Sequence, residues 1–321
     1  MQVLEIKRRV LGPDHPDTLD AMNSLSLIDE QLGKFREAEA LISQAIEIQR
    51  KSLGPESPDT LQSMGNLASF EMDLGDYAKA ETLCRQAIEV QRRVVGPEHP
   101  ETLDVMDNLG IALMYQGKYA EAESVLNQTA EIRRRVSGPE NLDTLLVLHA
   151  LAVTYQREGK YAQADPLYEQ TVAVQRRVRG ADNPDTLDTM ADFSSSCLAQ
   201  NKYAESESLA REAVDGGKTA RPDGWQTFFA KSLLGASLAG RKKYAEAEPL
   251  LLQGYRGMLA RKNLIAAPDR YRIERAHQWL VQLYKDWGKP DKATEVAKAS
   301  TGFGRTTSIY PPRMSAKTVL A

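Results

Sequence analysis

The chain has 321 residues, of which 42% are apolar, and its 41 Lys and Arg against 44 Asp and Glu leave a net charge of −3. That near balance excludes a general nucleic-acid binder, which needs a strongly basic domain. No apolar run approaches the ~20 residues of a membrane span, and the two cysteines, Cys84 and Cys197, are too few for a disulfide framework or a cysteine zinc cluster. The first predicted element is a helix running into Gly12. Residues 4 to 12 match 46 to 54, so residues 1–12 read as the second helix of an incomplete leading repeat. The opening Met1-Gln2-Val3-Leu4-Glu5-Ile6 lacks a basic-then-apolar signal layout, which points to the cytoplasm.

From residue 13 to 214 the chain repeats every 42 residues: the linker glycines stand at 12, 54, 96, 138 and 180, and each begins a segment such as Gly54-Pro55-Glu56-Ser57-Pro58-Asp59-Thr60-Leu61. A fixed period of this size marks a solenoid. Each period predicts two helices. The first starts after His15, Ser57, His99, Asn141 or Asn183. Ser and Asn at such a position accept hydrogen bonds from the unpaired amides of the first turn, and the two His are read as caps of the same kind. In four of the five periods Pro follows, then an acid that meets the positive end of the helix dipole. The helix stops at Gly33, Gly75, Gly117, Gly159 or Asn201, residues that tolerate a left-handed cap. The second helix starts at an aromatic residue, carries Ala38, Ala80, Ala122 or Ala164 at its close crossing, and ends in a basic cluster.

Residues 215–300 read as divergent capping repeats. Lys243-Tyr244-Ala245-Glu246-Ala247-Glu248 keeps the phase of the sixth unit, and a seventh opens with a long helix from about Pro268 to Trp287. From 301 to 321 Gly, Ser, Thr, Pro and cations predict a disordered tail.

The motifs Leu11-Gly12-Pro13-Asp14-His15-Pro16-Asp17-Thr18-Leu19, Asn66-Leu67-Ala68, Asn108-Leu109-Gly110 and Gly117-Lys118-Tyr119-Ala120-Glu121-Ala122-Glu123 resemble the tetratricopeptide repeat in the lengthened, kinesin-light-chain-like form. The resemblance covers residues 1 to about 299 and implies an all-α, right-handed helical-hairpin solenoid of about seven helix pairs. The run from Tyr244 to Ala293 also resembles repeat regions attached to bacterial Ser/Thr kinases, although no kinase motif is present in the chain.

Catalytic and metal motifs do not emerge. Four histidines show no ligand spacing, Gly-x-Ser-x-Gly is absent, and both cysteines map to core positions. The reading is therefore a scaffold with no enzyme activity, no cofactor and no metal. The basic clusters, such as Arg92-Arg93 and Arg133-Arg134-Arg135, would stack along one edge as an anion-binding strip or serve as electrostatic trim at helix C-termini; trim is the reading adopted. In tetratricopeptide arrays the first helices line a concave groove. The expected groove residues are Asn23, Asn66, Asp73, Asp104, Asp107, Asn108, Tyr115, His149, Arg157 and Asp192. Asn66 and Asn108 have the donor and acceptor to bind a ligand backbone, or alternatively to bridge neighbouring helices. The carboxylates outnumber Arg157 and select an extended protein or peptide segment with basic residues. Nucleic acid and membrane are not expected partners. The rival readings are a regulatory region of a larger signalling protein and self-association through the uncapped N-terminal edge.

Overall fold

The computed structural model describes residues 2–298, so the predicted tail from 301 lies outside the described residues. A single helix, α1 (Gln2–Val10), is followed by seven antiparallel pairs: α2 (Pro16–Gln31) with α3 (Phe35–Ser52), α4 (Pro58–Leu74) with α5 (Tyr77–Val94), and α6 (Pro100–Tyr115) with α7 (Tyr119–Val136). Then come α8 (Leu142–Glu158) with α9 (Tyr161–Arg179), α10 (Pro184–Ala199) with α11 (Tyr203–Ala220), α12 (Trp225–Gly240) with α13 (Tyr244–Ala260), and α14 (Tyr271–Asp286) with α15 (Pro290–Lys298). Each helix packs on the next in the chain, and the first helices of successive pairs also touch one another, which makes them the inner, concave layer. The described residues contain no strand.

The repeated Thr explains how each pair is set against the last. Thr18, Thr60, Thr102, Thr144 and Thr186 are fully buried, and each donates from Oγ1 to the carbonyl of the linker glycine six residues earlier, at 2.8–3.0 Å. Thr227 does the same to Arg221 O at 2.7 Å, so the bond survives where the linker sequence has changed. His15, Asn141 and Asn183 accept from the backbone amide two residues on, whereas Ser57 and His99 make no such capping bond. The left-handed stop predicted from the period is found at Asn201 (φ 61°) and, in the sixth pair, at Lys242 (φ 64°). Ala38, Ala80, Ala122 and Ala164 are all fully buried at helix crossings.

One expectation needs correction. The seventh pair does not begin with a helix from Pro268: residues 267–269 form a separate 3-10 turn, and α14 starts only at Tyr271. In three of the basic clusters one arginine pairs with the acid of the preceding linker. Arg135 pairs with Glu98 at 2.6 Å, and Arg93 with Glu56 and Arg177 with Glu140 in the same way. These are exposed pairs between stacked repeats, each worth at most ~1 kcal/mol.

Candidate peptide-binding groove

The inner layer encloses a cavity of about 540 Å³, walled by α6, α8, α10, α12 and the start of α14. Its floor is apolar: Ile111, Met114, Val147, Ala150, Val153 and Phe229. These follow the helical spacing of the first helices, which present one face to the core and an adjacent face to the cavity.

At one end sits Arg133, only 2% exposed although it comes from the second helix α7. It reaches Asp104 Oδ1 at 2.6 Å, Asp107 Oδ2 at 2.8 Å and Asp143 Oδ2 at 3.6 Å. Asp107 Oδ1 is buried and lacks a hydrogen-bond partner. Burial outweighs the attraction of Arg133 and pushes the Asp107 carboxyl up to about 7. Asp104 and Asp143 are more than half exposed.

The other end is built by the last pairs. Arg272 of α14 pairs with Asp192 at 2.9 Å and lies over the Phe229 ring at 4.5 Å; His149 meets the other Asp192 oxygen at 3.2 Å. Those partners overcome the burial of Asp192 and hold its carboxyl well below the usual range. Arg157, 4% exposed, lies over the ring of Tyr115 at 4.5 Å and of Tyr271 at 5.4 Å. Burial raises the Tyr115 hydroxyl above its ordinary value, and Tyr115 in turn stacks on Tyr77 at 5.1 Å.

Seven of the expected groove residues therefore line one cavity: Asp104, Asp107, Asn108, Tyr115, His149, Arg157 and Asp192. Asn23, Asn66 and Asp73 lie outside it, towards the N-terminal pairs. Asn23 Oδ1 accepts from Ser63 Oγ at 3.3 Å, and Asn108 Nδ2 makes a long 3.4 Å contact to Gly65 O, so both bridge adjacent first helices. Asn66 is half-buried. The carboxylates of the cavity differ in exposure. Asp107 and Asp192 are tied to buried guanidinium groups, whereas Asp104 and Asp143, which also pair with Arg133, are more than half exposed.

Arg133, Asp143, Trp225, Phe229, Tyr271 and Arg272 were absent from the expected set. The signal for Arg133 is legible: the period puts Gln49, Gln91 and Gln175 in its place. For Tyr271 and Arg272 no periodic signal exists, because the segment before α14 departs from the repeat.

The tetratricopeptide repeat family profile matches residues 1–51, 59–135, 106–177 and 143–218, which together span more than half of the chain. The chain belongs to this family, and its repeats are kinesin-light-chain-like. A kinesin light chain of Podosopora anserina with nearly identical TPR-like repeats is 26% identical, with a TM-score of 0.55, over 64% of this chain and 98% of that one. The apo quorum sensor NprR of B. thuringiensis is 14% identical (TM-score 0.64; 92% of this chain, 78% of that one). A Rap protein complexed with competence and sporulation factor is 11% identical (TM-score 0.59; 86% and 75%). The last two likenesses are of fold alone. No curated protein sequence matches the chain. Among the described residues no helix is long and apolar enough to cross a membrane, and no group of three or more His, Cys, Asp or Glu is placed to hold a metal ion.

Proposed function

We propose that the chain is a non-catalytic receptor for a protein or peptide segment, which lies in the concave groove and places a basic side chain in the central cavity. The observation that carries this reading is the end of the cavity around Arg133. Three carboxylates meet one guanidinium there, and Asp107 Oδ1 is an acceptor with no donor. A ligand ammonium or guanidinium supplies that donor and the missing charge, while the apolar floor holds the neighbouring side chain. That a Rap protein of the same fold is complexed with a factor agrees with ligand binding by a chain of this fold. Residues 13–214 act as the regular array and 215–300 as its capping end.

The test is binding of Lys- and Arg-containing peptides selected by display. Asp104→Asn with Asp143→Asn removes the exposed charges and leaves the buried Asp107–Arg133 pair in place. Affinity for basic peptides should fall about tenfold at low salt, and the loss should shrink as screening shortens the Debye length to ~8 Å or less. Neutral peptides should bind as before. Equal loss for both peptide classes, or none, rejects the basic-residue assignment.

A second reading, self-association, rests on α1. Val3 and Ile6 are 65% and 53% exposed, whereas Ala45, one period after Val3, is buried with Leu19 and Met22 of α2. Val3→Ser with Ile6→Ser should abolish any concentration dependence of light scattering if this face joins two copies.

A further inference from the structure

The segment between α13 and α14 does more than join two helices. Arg261 fixes its start, donating from Nε to Asp223 O at 2.6 Å. From there the chain runs along the C-terminal ends of the first helices, in the order of the array. Leu264 lies against Gly33, which follows α2, and Ala267 against Gly75, which follows α4. A Cβ on Gly33 would stand 3.1 Å from Leu264 Cα, and one on Gly75 3.2 Å from Ala267 Cβ. Tyr271 then lies under the guanidinium of Arg157, in the last turn of α8, which also covers Tyr115 at the end of α6. Arg272 reaches Asp192 of α10 at 2.9 Å. The crossing thus joins the last pairs to the first ones, about 230 residues earlier in the chain.

The charge of the segment suits that path. Residues 262–272 carry Lys262, Arg270 and Arg272 against Asp269 alone, which pairs with Arg272 at 2.8 Å. Helix C-termini present unpaired carbonyls and the negative end of the dipole, so a row of them attracts cations. Arg272 also holds Asp192, one of the carboxylates expected to meet a ligand cation, and lies over the Phe229 ring at 4.5 Å. The segment is lightly held. Ile265 is fully buried, but Lys262, Asn263 and Leu264 are exposed and residues 266–270 half-buried. Its hydrogen bonds are local, as from Asp269 N to Ala266 O at 3.0 Å and from Arg270 Nε to Ile265 O at 3.1 Å. It meets the ends of α2 and α4 through the apolar Leu264 and Ala267. A segment with so few buried contacts belongs to the low-stability end of a structure and opens ahead of the helices around it.

We propose that the C-terminal ends of α2, α4, α6 and α8 form a docking track for an extended basic segment, and that residues 262–272 occupy this track as the chain's own ligand until an incoming segment displaces them. Tethered at both ends, the internal occupant competes at an effective concentration on the order of millimolar, so the closed chain accepts an outside segment only weakly. Displacement frees Asp192 for an outside guanidinium and uncovers the ends of α2 and α4, which lets a ligand run beyond the central cavity. That extension rests on the groove reading; recognition of residues 262–272 by the track does not.

The probe is a fluorescein-labelled synthetic peptide of residues 262–272, titrated with the full chain and followed by fluorescence anisotropy. Lys34→Cys with Asn263→Cys places thiols on two exposed residues beside the contact of Leu264 with Gly33, and both native cysteines are buried and escape modification. A short bis-maleimide bridging the two thiols holds the segment in place, whereas capping them with N-ethylmaleimide leaves it free to lift. The capped protein should bind the peptide, and the bridged protein should bind it at least about tenfold more weakly. Ile265→Ser with Ala267→Glu, which loosens the segment, should bind it about tenfold more tightly than the parent. Should circular dichroism show that variant unfolded, the comparison of bridged with capped protein decides. Equal binding by bridged and capped protein, binding by neither, or equal binding of a scrambled peptide overturns the proposal. A display-selected basic peptide tested on the same samples separates the two readings: its failure where the 262–272 peptide binds rejects the groove alone.

Discussion

At position 133 the chain replaces an amide by a guanidinium. Gln49, Gln91 and Gln175 sit buried at the same place in other repeats, each with a side-chain atom lacking a partner, and none carries a charge into the groove. Arg133 meets three carboxylates there, so Arg133→Gln tests the arrangement with the residue the repeat otherwise uses. Breaking a buried pair from one side costs about 3–5 kcal/mol when the other charge stays. Here Asp107 can escape by taking up a proton, since it already titrates at about 7. The sign follows from linkage. Asp107 is raised in the folded state, so the folded chain holds the extra proton and stability falls as pH rises towards that value. Urea melts of Arg133→Gln should show a loss of roughly 3 kcal/mol at about pH 8 and clearly less at about pH 5. Equal losses at both would mean that Asp107 stays charged throughout. Asp192 works in the opposite sense: its carboxyl is depressed, so the stability it contributes with Arg272 is present above the usual carboxylate range and is lost on strong acidification. The sequence made Asp107 and Asp192 visible as inner-face residues, but their burial was not legible. Arg133 approaches from a second helix, and Arg272 from a segment about 80 residues beyond Asp192.

At the scale of helices, small residues set the spacing. Ala122 is fully buried at the α6–α7 crossing, and Ala122→Leu should destabilise by about 1–3 kcal/mol through overpacking. Gly254 is a stricter case. A Cβ there would lie 2.5 Å from the Phe228 carbonyl oxygen and 2.8 Å from Ser232 N, both backbone atoms of the facing α12. Backbone cannot rotate aside as a side chain can, so even Gly254→Ala should lower the melting temperature by several degrees, measured by circular dichroism. Melting like the parent would show that α12 and α13 separate freely. The elements were readable because their causes are local: the Thr bonded to the linker carbonyl, the left-handed stop, the small residue every 42 positions. Residues 261–270 follow none of these rules. Their conformation is decided by what they touch, Gly33 and Gly75, and no pattern within the segment announces a contact so distant.

For the whole molecule, the stack of pairs contacts chiefly its neighbours, and an array of that kind unfolds piecewise, its ends fraying ahead of its middle. The crossing between Leu264 and Gly33 changes that arithmetic. It ties the segment ahead of the last pair to the turn after α2, so fraying at either place breaks contacts at both. Loop closure over such a span costs only a few times RT more than a short loop, because the entropy grows with the logarithm of length. Fraying of the terminal pairs is thereby coupled to events at the opposite end, and cooperativity becomes a property of the closed ring rather than of any repeat. Protection of amide hydrogens in α2 should then depend on a residue such as Ile265, which stands more than 230 residues further along the chain.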